Sequence, residues 1–301
     1  MEFNKLIIKN CEQNETIYRY LKRNGFSENY IRNLRKKEGY IKLNSKTAFT
    51  NAVIKENDLL ELYKNPSTKS GIMHSIIPLN IVYEDDDILV INKPSGLAST
   101  PSRSHLYDNL TCAIINYYKG KDPNFVVRII NRLDKDTAGL VCVAKHSLIS
   151  NLLNSHNYVS KSYFAICTGK IDKDIIINKP IATTLNDLGY NNHKREILPS
   201  GKPAITYVEP IHYDGKNTLC KMKLKFGRTH QIRVHLSSIG HALLGDSLYG
   251  NSSDKISHTA LVCSEMDIYN PLSDKNINLK IDLPEDIKSV FHFDINNLKQ
   301  F

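Results

Sequence analysis

Ile129-Ile130-Asn131-Arg132-Leu133-Asp134-Lys135-Asp136-Thr137-Ala138-Gly139-Leu140-Val141 is the stretch around which the chain is organised. A largely apolar, β-branched run at 126–130 delivers the polar cluster 131–137, and a second apolar run at 140–144 carries the chain away. The polar residues thus fall where two buried strands meet. A loop held between rigid strands fixes a side chain while leaving it reachable, which suits a catalytic carboxylate. An isolated loop aspartate is otherwise an ordinary solvated turn residue, so its neighbours must decide.

Composition narrows the setting. The 301 residues suffice for one large unit and a small one, and 41% apolar content is that of a globular protein. The opening Met-Glu-Phe-Asn-Lys lacks the basic-then-apolar order of a signal peptide. No apolar run approaches the ~20 residues a bilayer requires, so a cytoplasmic location is expected, with no membrane partner. Cys11, Cys112, Cys142, Cys167, Cys220 and Cys263 show no Cys-x-x-Cys spacing and read as reduced thiols, not a disulfide or zinc framework. A net charge of +9 fits a polyanionic partner, though a generic basic enzyme would share it.

Residues 1–65 read as a small basic module. Ile17, Tyr20 and Leu21 mark a helix closed by Gly25; Ser27 can cap a second helix to about Lys37, and strands follow at 40–43 and 59–62. Arg32, Arg35, Lys36 and Lys37 cluster on the second helix beside Arg19, Lys22 and Arg23 on the first; a solvated cationic face would look the same. Residues 66–79 have linker composition, and 80–301 form the second unit. Within it the pattern predicts a hairpin at 81–92, helices at 109–118 and 147–154, and strands at 161–169 and 219–226, with Lys202, Ala204 and Thr206 leading into another, while 171–203 look loop-like. A helix capped by Thr229 is expected to bury Ile232, Leu236 and Ile239, hold Arg233 near the edge of that face, and end at Gly240. His230, His235 and His241 have no acidic residue on their face and no third ligand at zinc spacing, so no metal is expected and His230 reads as structural.

Three segments stand out: Arg132-Leu133-Asp134-x-x-Thr137-Ala138-Gly139, Lys161-x-Tyr163-x-Ala165 with Gly169, and Gly227-Arg228-Thr229-His230-Gln231-x-Arg233 followed by Gly245-Asp246-x-x-Tyr249-Gly250. Together they resemble the RluA/RluD-type pseudouridine synthases. The turn Asn92-Lys93-Pro94-x-Gly96 also matches. Asn131 stands where many members carry His, Ala138 where Ser or Thr is usual, and Val262 where a closing His is expected. The resemblance implies an α+β catalytic domain on a mixed, largely antiparallel sheet, with its site in a central cleft. It places Asp134 on the catalytic aspartate, Tyr163 on the active-site tyrosine and Arg233 on the arginine that pairs with the carboxylate. Asn131, Arg132 and Leu261 are the implied substrate contacts. Residues 1–65 resemble the RNA-binding module of small-subunit ribosomal protein four.

The implied substrate is uridine in large-subunit ribosomal RNA, with transfer RNA the nearest alternative, no cofactor, and a monomeric enzyme. A hydrolase using Asp134 with Asp136, or a non-catalytic RNA-binding or ribosome-assembly factor, would leave the remaining motifs without a role. A water-excluding pocket would tend to protonate Asp134, and a guanidinium in fork contact would oppose that; this is the expected role of Arg233. Tyr163 offers a flat face on which uracil can stack.

Overall fold

The computed structural model describes residues 3–26, 28–63, 77–102, 105–185, 191–250 and 252–291. Ser27, the expected cap, and most of the expected linker lie outside them. In the first part, β1 (Phe3–Ile7), α1 (Ile17–Arg23), α2 (Glu28–Leu34), β2 (Ile41–Leu43), β3 (Lys46–Thr47) and β4 (Leu59–Tyr63) build an antiparallel sheet of order β1-β4-β2-β3. Thr16 caps α1 by accepting from the Arg19 amide, which fits its short polar side chain. The second helix ends at Leu34, earlier than its apolar spacing suggests, and the basic run 35–37 lies beyond it.

The larger part begins with β5 (Ile81–Glu84), β6 (Ile88–Lys93) and α3 (Leu110–Tyr118), then β7 (Arg128–Ile129), β8 (Ala138–Ala144) and α4 (Ser147–Ser155). It continues through β9 (Val159–Thr168), β10 (Ile175–Asn178), β11 (Ile181–Leu185), β12 (Asn191–Ile197), β13 (Ile205–Tyr213) and β14 (Asn217–Leu224). Last come α5 (Gln231–Ser237), β15 (Leu261–Asn270), β16 (Lys275–Lys280) and α6 (Glu285–Lys288). One sheet runs β10-β13-β14-β9-β15-β8-β6-β5, with β16 on β15 and β7 on β8. Only the β15–β8 pairing among these is parallel, so the α+β class with a mixed, largely antiparallel sheet holds.

Every residue of β8, Ala-Gly-Leu-Val-Cys-Val-Ala, is buried, as a strand covered on both faces demands. Gly139 sits at φ 114, where a Cβ would fall 2.2 Å from the Cys263 carbonyl oxygen; the contact between β8 and β15 leaves no room for a side chain. Helix α4 serves two cores. Ile149 and Leu153 face the large sheet, whereas Leu148 and Leu152 join Ile17, Leu21 and Ile31 of the first part.

Two expectations need correction. Residues 171–203 are not a loop: they carry β10 and the hairpin β11–β12, which pairs with itself and not with the large sheet. Its residues alternate weakly because little of either face is covered, so the usual strand signal is faint. Thr229 does not cap α5; His230 does, at φ 57 and without a side-chain cap bond.

Candidate active site

Asp134 lies in the loop between β7 and β8, on the wall of a cavity of ≈ 750 Å³ that Tyr163, His230, Arg233, Arg195 and Leu261 also line. The segment after β6 clamps this loop by its backbone. Ser99 Oγ donates to the Leu133 carbonyl at 2.6 Å, Lys93 Nζ to that of Lys135 at 3.1 Å, and Ser95 Oγ to that of Asp136 at 2.9 Å. Lys93 is fully buried and also donates to the Pro94 and Leu97 carbonyls; burial draws its pKa down to about 7, against the pull of Asp134 and Asp136. Loop carbonyls on both sides of Asp134 are thus held while its carboxylate faces the cavity.

The expected fork between Arg233 and Asp134 is not there. Arg233 Nε and Nη2 each lie 2.8 Å from the two oxygens of Asp246, which is completely buried. Only Nη1 turns to Asp134, 3.9 Å from Oδ2. The reason is desolvation: a guanidinium 4% exposed needs a close bidentate partner, and Asp246 is further fixed by accepting from the Leu248 and Tyr249 amides. Burial raises the Asp246 pKa, but the hydrogen bonds and charge of Arg233 outweigh it and the net shift is downward.

Tyr163 of β9, which lines the same cavity, is 7% exposed and pairs in register with Cys263 of β15. Burial pushes its pKa well up, with Cys263 and Asp134 adding to the shift, so it stays a neutral phenol. Lys161, two residues earlier, also lines the cavity, and burial lowers its pKa. Leu261 supplies apolar wall, and Arg132 is exposed where it lines the cavity. Asn131 lines it too, yet its carboxamide is engaged by β8: Nδ2 donates to the Leu140 carbonyl and Oδ1 accepts from the Cys142 amide. Its hydrogen bonds shape the wall and are not aimed at a ligand.

The structure adds Asp246, Tyr249, Arg195 and Lys161 to the site. Lys161, Asp246 and Tyr249 lie within the motifs that carry the resemblance, but a partner 13 residues beyond Arg233 is not legible from helical spacing, and Arg195 has no local signal. In the first part, the exposed Arg23 forks onto the buried Glu15 at 2.9 and 2.8 Å. Lys22 pairs with Glu28 at 3.5 Å, and Arg35 bonds Thr50 while lying over the Tyr18 ring. Arg19, Arg32, Lys36 and Lys37 are exposed, as are Lys22, Arg23 and Arg35. Among the described residues no group of His, Cys, Asp and Glu is placed to hold a metal ion, and no helix is long and apolar enough to cross a membrane.

Comparison with known proteins points one way. The family described as RNA pseudouridylate synthase matches residues 87–238. A Bacillus subtilis protein described as uncharacterized RNA pseudouridine synthase YjbO is 30% identical over 280 residues, 91% of this chain and 98% of the relative. Ribosomal large subunit pseudouridine synthase D of Zymomonas mobilis is 34% identical over 236 residues, 71% of this chain and 72% of the relative. In fold, human RNA pseudouridylate synthase domain containing 1 superposes with a TM-score of 0.57 at 24% identity, over 75% of this chain and 95% of that one.

Proposed function

The chain belongs to the RNA pseudouridylate synthase family, and from that premise we propose that it isomerises uridine in large-subunit ribosomal RNA, with Asp134 as the reacting carboxylate. The observation that carries the reading is a carboxylate on the cavity wall, its loop fixed by backbone clamps, with Arg233 and Tyr163 facing the same space. The large-subunit target draws on the name of the 34%-identical relative. Transfer RNA is the other outcome that an assay can return.

The reaction breaks the bond between ribose C1′ and uracil N1, turns the base, and joins C1′ to C5. The C5 proton leaves and N1 gains one, so no redox partner or donor group is consumed. Asp134 acts either by attacking C1′ or by removing a neighbouring sugar proton. Tyr163 presents a ring face to the detached base, and its un-ionised hydroxyl does not repel the negative charge that builds on uracil. Leu261 closes the pocket beside it. A uridine in folded RNA first leaves its stack, at a cost of a few kcal/mol, and Arg132, exposed at the cavity, fills the vacated space. Residues 1–65 form an RNA-binding module whose exposed Arg19, Arg32, Lys36 and Lys37 meet phosphates.

The test uses RNA tritiated at uracil C5, with free base measured in parallel. Label release without free uracil is expected from the wild type; free uracil would mean hydrolysis, and neither would mean a binding protein. Asp134→Asn should abolish release while RNA affinity stays within a few-fold. Retained turnover in that variant rejects the assigned role.

A further inference from the structure

Tyr249 joins two groups that the reaction as described leaves aside. The backbone N–H of Arg195, in β12, donates to the Tyr249 hydroxyl. A backbone amide only donates, so the phenol oxygen is the acceptor and its own hydrogen must point elsewhere. The other group on that oxygen is Nδ1 of His230, 2.9 Å away, and among the described residues no further acceptor is bonded to the hydroxyl. With the amide on one lone pair, the phenol hydrogen is free to donate to Nδ1 of a neutral ring that is bare at that nitrogen. In that arrangement the ring proton sits on Nε2, which faces Asp134 Oδ2 at 3.9 Å.

Arg233 Nη1 stands 3.9 Å from that same oxygen. Two N–H groups from α5 and its cap thus converge on Oδ2, while among the described residues no donor is bonded to Oδ1. The backbone gives an independent sign. His230 holds φ 57, uncommon for a residue with a side chain, yet its imidazole makes no cap bond to α5. Such a conformation persists where surrounding contacts over-determine it, and here they aim the ring at the cavity. Asp134, Arg233, Arg195 and Asp246 are the charged groups around the ring; burial lowers its pKa and Asp134 opposes, leaving it lowered.

We propose that His230 is a positioning residue for Asp134: a neutral imidazole, fixed in its Nε2–H form by Tyr249, that shares Oδ2 with Arg233 and leaves Oδ1 to the ribose. The proposal rests on Asp134 being the reacting carboxylate, so its test has one arm that needs no turnover. In full-length protein with ¹⁵N-labelled histidine, the His230 ring, assigned by its loss in His230→Asn, should carry its proton on Nε2 alone at pH 7.5. Tyr249→Phe removes the bond that favours the neutral ring, so both tautomers should appear and the titration midpoint should rise. A proton on Nδ1, or an imidazolium at that pH, overturns the proposal.

The second arm is single turnover, with enzyme in excess over a tritiated large-subunit ribosomal RNA transcript. Tyr249→Phe should slow label release about tenfold at unchanged RNA affinity and move the acid limb of the rate profile to higher pH. His230→Asn tolerates the left-handed backbone but cannot reach Asp134; it should lose about a hundredfold in rate with an unchanged melting temperature. His230→Gln, which restores an N–H near the Nε2 position, should recover part of that loss. Lower melting temperatures with no shift of the acid limb and no rescue would make His230 merely structural and overturn the proposal. A silent wild type would count against the ribosomal RNA reading instead, with the labelled ring still deciding the tautomer.

Discussion

Arg233 shows how a buried charge is made useful. Its fork is taken by Asp246, so the guanidinium is held rigidly and presents one remaining N–H toward Asp134 at 3.9 Å. A direct fork on Asp134 would occupy both oxygens of the group that has to react. Asp246→Asn leaves the guanidinium buried without its counter-charge, and a loss of about 3–5 kcal/mol in urea unfolding is expected, together with slower label release. The sign of the pH dependence follows from the Asp246 carboxyl, whose pKa lies below the ordinary 3.8 in the folded chain. Its contribution is present above the unfolded value and lost as pH falls through the folded one. The stability gap between wild type and Asp246→Asn should stay level from neutral pH down to about 4 and close below that. A gap that widens in acid would show that Arg233 does not depend on this partner.

Strands and helices place these side chains because of a few close approaches. Gly139 lets β8 run against β15 and so brings the Asp134 loop beside Tyr163 and Leu261. Gly139→Ala puts a methyl carbon 2.2 Å from a backbone oxygen at an unfavourable φ, and a destabilisation above about 3 kcal/mol is expected from thermal unfolding. An unchanged melting temperature would mean the two strands do not meet so tightly. The hairpin β11–β12 packs Ile181 and Ile197 near Val234 of α5, and its Arg195 amide reaches Tyr249. It was hidden in the sequence because alternation is visible only when one face is buried and the other wet. The buried run of β8 was legible for the opposite reason, since its unbroken apolar residues mark a strand covered on both faces.

Across the whole molecule, the first part does not hang from the second. Leu148 and Leu152 of α4 sit in its core, Ser155 Oγ donates to the Asn24 carbonyl, and Gly25 lies so close to Ser155 that a Cβ would fall 2.0 Å from its side chain. Deleting residues 1–65 would bare that apolar face, so charge removal is the cleaner probe of RNA binding. Replacing Arg19, Lys36 and Lys37 with Gln should weaken RNA affinity across sequences and flatten its dependence on salt, with single-turnover rates at saturating enzyme unchanged. An unaltered salt slope would place the RNA elsewhere on the surface. Taken alone, the sequence determined the α+β class through the motifs that carry its family resemblance, and the Asp134 loop between two apolar runs through hydrophobic period, because motif and period are both written along the chain. Only the tertiary structure decided which carboxylate Arg233 grips, that Arg23 forks onto Glu15, and which nitrogen of His230 faces Asp134. Those outcomes depend on distances between segments far apart in the chain and on which polar groups lose their water together, and neither quantity is carried by local spacing.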